Sequence, residues 1–133
     1  MGSAADWKKY AEALLELGAS DQALPFIEAQ LDQAWDSRLV GLYGRIPGGE
    51  LSARIACADR WLVQHRDDSQ LLLALGRMCL AQRLWGKAQT YLEASLSLTD
   101  SREVRLELAR LFEQTERAGE AMAHYRAAAG MLD

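Results

Sequence analysis

A chain of 133 residues with half its residues apolar is the size of one folded domain and can bury a continuous core. Its formal charge of −4 and pI near 5.2 exclude a nucleic-acid binder, because displacing counterions from phosphate needs a concentrated basic face and here acids and bases are interspersed. Cys57 and Cys79 form no CxxC pair, which argues against a zinc site or a dense disulfide framework, and the longest apolar block, LLLAL at 71–75, falls far short of the ~20 residues a membrane helix needs.

Only two prolines stand among abundant Ala, Leu, Glu, Gln and Arg, and β-branched residues are few, so helix is expected nearly everywhere. The first helix spans 6–17 and carries Trp7; Gly18 marks the turn into a second at 21–34, where Ala23 and Ile27 take a small and an apolar position. DSRLVGLYGRI reads as a third helix, 37–46, with Tyr43 in its apolar stripe. PGGE at 47–50 ends it, since proline disfavours helix at the preceding residue and two glycines open a turn. The fourth runs from 50 to 65 through ARIACADRWLVQH. Asp67, Asp68 and Ser69 are good caps for a fifth at 69–82. Helices at 84–97, 102–116 and 118–131 complete eight helices in four hairpins, one domain over 1–133 with no interdomain linker.

Shifted by 33 residues, LGRMCLAQRLWGKAQTYLEAS (75–95) falls on LARLFEQTERAGEAMAHYRAA (108–128). Leu75/Leu108, Arg77/Arg110, Gly86/Gly119, Ala88/Ala121 and Ala94/Ala127 then coincide. A period in the thirties with small residues in register marks a helix-turn-helix solenoid, whose units bury their apolar faces by stacking on one another. Gly76, Gly86 and Ala88 are expected where helices press together, since a larger side chain there would overpack at a cost of ~1 to 3 kcal/mol. The register resembles the tetratricopeptide repeat (TPR), with Leu75, Gly76, Ala88 and Leu92 in one unit and Leu108, Ala109, Ala121 and Tyr125 in the next. That resemblance implies an all-α, right-handed superhelix of hairpins.

Catalytic chemistry has little to work with. His65 and His124 are the only histidines, neither in a catalytic motif, and GxGxxG, P-loop and HExxH patterns are absent. No enzyme activity, cofactor or metal is expected. The cysteines read as small, soft core residues, and Trp7, Trp35, Trp61 and Trp85 as inter-helix packing within apolar stripes. The informative set lies on the first helix of each hairpin, which lines the concave face of such arrays. Arg45, Leu73, Arg77, Leu80, Leu106, Arg110 and Glu113 project there, and arginines interleaved with leucines suit a peptide with acidic and apolar groups. The alternative is that Arg77 and Arg110 only make surface pairs. The carboxylate-clamp TPR subtype uses Lys and Asn at set groove positions; leucine and arginine stand there instead, which disfavours a chaperone-tail receptor.

RLVGLYGRIPGG, RWLVQHRDDSQLLLALGRMCLAQRLWGKAQTYLEASLSL and EVRLELARLFEQTERAGEAMAHYRAA resemble the C-terminal TPR region of the bacterial HemY family, most specifically in the LLLALGR-C-x5-LWGKA-x2-YLEASL run. The likeness implies the soluble C-terminal part of a longer inner-membrane protein linked to haem and porphyrin biosynthesis, cytoplasmic side favoured. The flavin-dependent protoporphyrinogen oxidase that shares the name is a different protein, and no dinucleotide-binding glycine motif is present here. Function then reads as a non-enzymatic scaffold for protein partners such as tetrapyrrole-pathway enzymes. The alternative is a haem- or porphyrin-binding domain using His65, His124 or Cys79, although the CP and CxxCH signatures are absent. Met122, Tyr125, Ala129 and Met131 on a last helix with no polar cap point to more chain or to a homodimer.

Overall fold

The computed structural model describes residues 4–131, and the side chains from Trp7 onward. The chain forms α1 (Ala4–Glu16), α2 (Ser20–Gln33), α3 (Ser37–Tyr43), α4 (Leu51–Leu62), α5 (Ser69–Ala81), α6 (Trp85–Leu98), α7 (Arg102–Gln114) and α8 (Ala118–Ala129), with no strand among the described residues. Successive helices pack as α1 on α2, α5 on α6 and α7 on α8, while α3 and α4 both lean on α5.

Two local devices recur along the chain. The later hairpins and the third helix open on an oxygen cap: Asp36 Oδ1 accepts from Arg38 N at 2.9 Å, Asp68 Oδ1 from Gln70 N at 3.0 Å, and Ser101 Oγ from Val104 N at 3.2 Å. The helices α1, α5 and α7 close on a left-handed residue: Gly18 at φ 69°, Arg83 at φ 62° and Glu116 at φ 60°. Each is followed by a bond from an amide to the carbonyl five residues back, Ala19 to Leu14, Leu84 to Cys79 and Arg117 to Phe112, which satisfies carbonyls the helix end would leave orphaned.

The second hairpin departs from this scheme. The backbones of α3 and α4 scarcely meet. The helix expected over 37–46 stops at Tyr43, because Arg45 and Ile46 bond back three residues, to Leu42 and Tyr43, and Pro47 offers no N–H to continue. Gly48 and Gly49, at φ 89° and 70°, then swing the chain round. The expected helix to 65 likewise ends at Leu62; Val63 and Gln64 bond back three residues, to Arg60 and Trp61.

Arg54 fills the gap between the two helices. It is buried, and its guanidinium donates to the carbonyls of Tyr43 at 2.6 Å, Ile46 at 2.9 Å and Gly48 at 2.8 Å, while lying over the Tyr43 ring. A single cation with three acceptors thus takes the place of the amide that bonds five residues back at the other first helices.

The core runs the length of the array through Ile27, Leu39, Tyr43, Leu71, Leu75, Met78, Leu92, Leu108, Leu111 and Phe112, with Ala23, Ala58, Ala88, Ala109 and Ala121 buried at the crossings. Cys57 and Cys79 are free and buried within it, and burial pushes both thiols up. Gly76 sits where α5 and α6 press together: a Cβ there would lie 2.4 Å from Leu92 Cδ2. Gly44 plays the same part between α3 and α5, since its Cβ would meet the Ala74 backbone at 2.6 Å. Gly86 does not belong with them. A Cβ on Gly86 or Gly119 would meet nothing within 4 Å, because both occupy the exposed first turn of a second helix. Trp35 is also not within a helix; it stands in the connection between α2 and α3.

Two stability predictions come from these contacts. Gly76→Ala should lower stability by about 1 to 3 kcal/mol because Leu92 must give way, whereas Gly86→Ala should be neutral or raise it by up to about 1 kcal/mol through helix propensity; urea denaturation of both variants checks the contrast. Arg54→Met, which keeps the volume and removes every donor, should cost about 3 kcal/mol or more by leaving three carbonyls short of a donor, read from the same unfolding midpoints.

Candidate functional site

The helices α3, α5 and α7 stand side by side, α3 packing on α5 and α5 on α7, and present one face of the array. A cavity of about 300 Å³ opens there, lined by Ser37, Arg38, Gly41, Arg45, Gln70, Leu73, Arg77 and Glu103. Three of the expected groove residues, Arg45, Leu73 and Arg77, therefore share one pocket. Leu73 forms its floor and is almost wholly buried. Gly41 leaves space that the Gln70 side chain crosses: a Cβ there would lie 2.7 Å from Gln70 Oε1.

The remaining groove residues stand outside the pocket. Leu80 is half-buried and packs against the core, and Leu106 is half-buried on α7. Arg110 and Glu113 are exposed, Glu113 accepting a hydrogen bond from the Tyr125 hydroxyl at 2.6 Å.

Glu107, which the sequence did not single out, connects the two sets. Its Oε2 accepts from Arg77 Nε at 2.7 Å and its Oε1 lies 3.1 Å from Arg110 Nη1. The Arg77–Glu107 pair is largely buried, with side chains 15% and 12% exposed, so it is not the loose surface pairing that was the alternative for Arg77. A signal was present in LELAR: a carboxylate beside the core residues Leu108 and Ala109 has to find a cation. Arg38, Gln70 and Glu103 carried no such signal, because their place depends on how α3 meets α5. Arg38 holds the Asp36 carboxyl below the usual carboxylate range through two hydrogen bonds, at 3.2 and 2.9 Å.

The candidate haem ligands lie elsewhere. His65 stacks face to face on Trp35, ring centroids 3.8 Å apart, beside a polar pocket at the α4–α5 turn. Cys79 is fully buried. His124 stacks on Phe112 at 5.5 Å and its Nδ1 lies 3.2 Å from Arg105 Nη1. A guanidinium only donates, so Nδ1 is the acceptor and Nε2 carries the proton. Among the described residues no group of three or more His, Cys, Asp or Glu side chains is placed to hold a metal ion, and no helix is long and apolar enough to cross a membrane.

Eight helices laid out in this order, with small residues at their crossings, define an all-helical array of TPR-like type. The solved structure titled "MamA MSR-1 C2" shares that fold: it superposes with a TM-score of 0.63 over 90% of this chain and 71% of its own, at 16% sequence identity. No protein-family profile matches the chain and no curated protein does.

Burial and the neighbouring Arg105 both hold the His124 imidazole below its ordinary range, so it is neutral in the fold. Neutral His124 stabilises the folded state in full above about pH 6.5, and that contribution is lost as pH falls from there through the depressed folded value. The carboxylates Asp36 and Asp100, lowered by their arginines, act only in the more acidic range. Urea midpoints measured from pH 7.5 to 5 should therefore drop more steeply for the wild type than for His124→Gln, and equal slopes would remove His124 from the account.

Proposed function

We propose that this chain is a non-enzymatic protein-interaction scaffold of HemY type, which gathers tetrapyrrole-pathway enzymes at the bacterial inner membrane through a segment laid along the face of α3, α5 and α7. The supporting observation is the pocket between those helices, where the turn that ends α3 contributes Arg45 and α5 contributes Arg77 around an apolar floor. The MamA structure contributes the fold, and the fold is of a kind that offers such a face. The haem association rests on the LLLALGR-C-x5-LWGKA-x2-YLEASL likeness in the sequence. On this reading the membrane anchor lies in other parts of the protein, and tethering makes modest groove affinities sufficient, because a second binding event on one surface is effectively intramolecular. Exposed Met122 and Ala129 leave the outer face of α8 open to a second copy, the homodimer that belongs to the same reading.

The test uses a cation that the fold does not need. Arg77→Glu or Arg110→Glu would set two carboxylates together at Glu107 and confound binding with folding. Arg45 is exposed and has no ion-pair partner among the described residues, so Arg45→Glu should leave helicity and melting temperature unchanged while abolishing recovery of a tetrapyrrole-pathway enzyme in pulldowns from bacterial membrane and soluble extracts. Recovery that survives the change would place the partner on another face.

A further inference from the structure

The arginines of the pocket are not equally engaged. Arg38 is spent on Asp36, through Nε and Nη2, and stands 5.9 Å from the centre of the Trp7 ring. Arg77 and Arg110 share the single carboxylate of Glu107. Arg45 has no ion-pair partner among the described residues. Arg77 gives Glu107 its Nε–H, and its two Nη groups make no hydrogen bond to the described residues. Those groups are also not among the buried polar atoms left without a partner, so they remain reachable from solvent. The Gln70 amide is in the same condition: it lines the cavity, crosses Gly41, and makes no side-chain hydrogen bond to the described residues.

Ion pairing around the cavity selects the ligand. Of the lining arginines, Arg38 is paired with Asp36 and Arg77 with Glu107, which leaves Arg45 as the one lining cation without a carboxylate partner among the described residues, in a protein whose net charge is −4. One unpaired cation matches one carboxylate. A phosphate dianion would overbalance it and would sit against Glu103 on the cavity wall. Planar guanidinium donors from the turn after α3 and from α5 suit the two oxygens of a carboxylate, with an amide to complete the set. The pocket also does not stand alone. Leu73, Arg77 and Leu80 recur at i, i+4 and i+7 on α5, and Leu106, Arg110 and Glu113 do so on α7, so the face continues past the pocket along both helices.

We propose that the pocket of Arg45, Arg77 and Gln70 binds the side-chain carboxylate of a glutamate or aspartate within an extended peptide segment of the partner. The inference rests on the groove reading given above and adds to it the group that the groove recognises. Arg45 and Arg77 grip the two oxygens, Gln70 donates its amide, and Leu73 supports the aliphatic stem of the bound side chain.

The experiment is proton–nitrogen NMR of the whole chain, following the arginine Nε–H and glutamine amide signals, since weak binding is visible that way. The probe is an acetylated and amidated peptide, Leu-Ser-Glu-Leu-Ser, set against the same peptide with Gln for Glu, the Gln peptide with a free C-terminal carboxylate, and a phosphoserine version. The expected result is a saturable shift of the Arg45, Arg77 and Gln70 signals with the Glu peptide, and binding at least about tenfold weaker with the amidated Gln peptide, a difference of one good ionic hydrogen bond. Arg45→Ala, which breaks no hydrogen bond or ion pair among the described residues, should weaken the Glu peptide by a similar factor at unchanged melting temperature. Equal or stronger binding of the free-terminus Gln peptide would assign the pocket to a chain end, and tighter binding of phosphoserine would assign it to phosphate; either overturns the proposal. No shift with any peptide also overturns it. If Arg45→Glu nevertheless abolishes partner recovery in that last case, the scaffold reading stands without the carboxylate subsite; if recovery survives as well, both fail.

Discussion

One buried guanidinium decides how the front half of the array meets the back. Elsewhere a left-handed residue and an amide bonded five residues back close each first helix, and the next helix then folds against it. In the second unit the carbonyl of Tyr43, which stands where Cys79 and Phe112 stand later, is taken by Arg54 at 2.6 Å, and the same side chain collects Ile46 and Gly48. A backbone turn fixes a hairpin angle through local dihedrals. A side-chain cation reaching three carbonyls fixes it at a greater distance, so α4 can stand away from α3 and lean on α5 instead. The groove pocket depends on this, because α3 is then free to press its Gly44 against the Ala74 backbone and to bring Gly41, Arg38 and Arg45 over α5.

The acidic excess of the sequence is used in a consistent way. Carboxylates accept from aromatic donors of a neighbouring unit: Asp32 from Trp61 Nε1 at 2.9 Å, Asp59 from the Tyr91 hydroxyl at 2.5 Å, Glu28 from the Tyr43 hydroxyl at 2.6 Å, and Asp68 from Trp35 Nε1 at 2.8 Å. Burial and the adjacent carboxylates push the Tyr43 and Tyr91 hydroxyls well above their ordinary range, so both remain donors at any physiological pH. Asp68 does the most. One oxygen caps α5 through Gln70 N and Leu71 N, while the other holds Trp35 and Ser37, which joins the end of the first unit, the start of α3 and the start of α5 in one residue. Apolar stacking supplies most of the stabilisation in such an array, and these bonds set the register between units.

The parts of this structure that were legible in the sequence are those where one residue has one local reason. Asp68 and the cap it forms, the glycine turn at Gly18, the close approach at Gly76 and the turns at 47–50 and 66–68 all follow from backbone chemistry that a short window contains, although the helices before those two turns stop early, at Tyr43 and Leu62. Gly86 and Gly119 misled because they recur in register without any neighbour to require them; coincidence at a period of 33 is evidence of descent from one unit, not of contact. Arg54 was illegible for the opposite reason. The first arginine in ARIACADRW looks like any solvated helix charge, and only the three carbonyls brought round by Pro47, Gly48 and Gly49 make it a core residue. The pocket shows the same division. Leu73 and Arg77 followed from the helix period of α5, and Arg45 reaches the pocket from the turn beyond Tyr43 where a helix was expected, whereas Arg38, Gln70 and Glu103 depend on how α3, α5 and α7 come together.

Preorganisation separates the two arginines that define the candidate site. Arg77 is already held by Glu107 in a largely buried pair, so the entropy of ordering its long side chain was lost on folding and is not lost again on binding. Arg45 is exposed and has no ion-pair partner among the described residues, so on the proposed reading a ligand would have to order it, at about 0.5 to 1.5 kcal/mol for a side chain of this kind. A groove with the proposed function would then recognise its ligand through a fixed member and close on it through one that the fold leaves unheld. That division would favour modest affinity with rapid exchange, and a surface tethered beside its partners, as proposed, would gain from exchange more than from residence, because effective concentration supplies the occupancy.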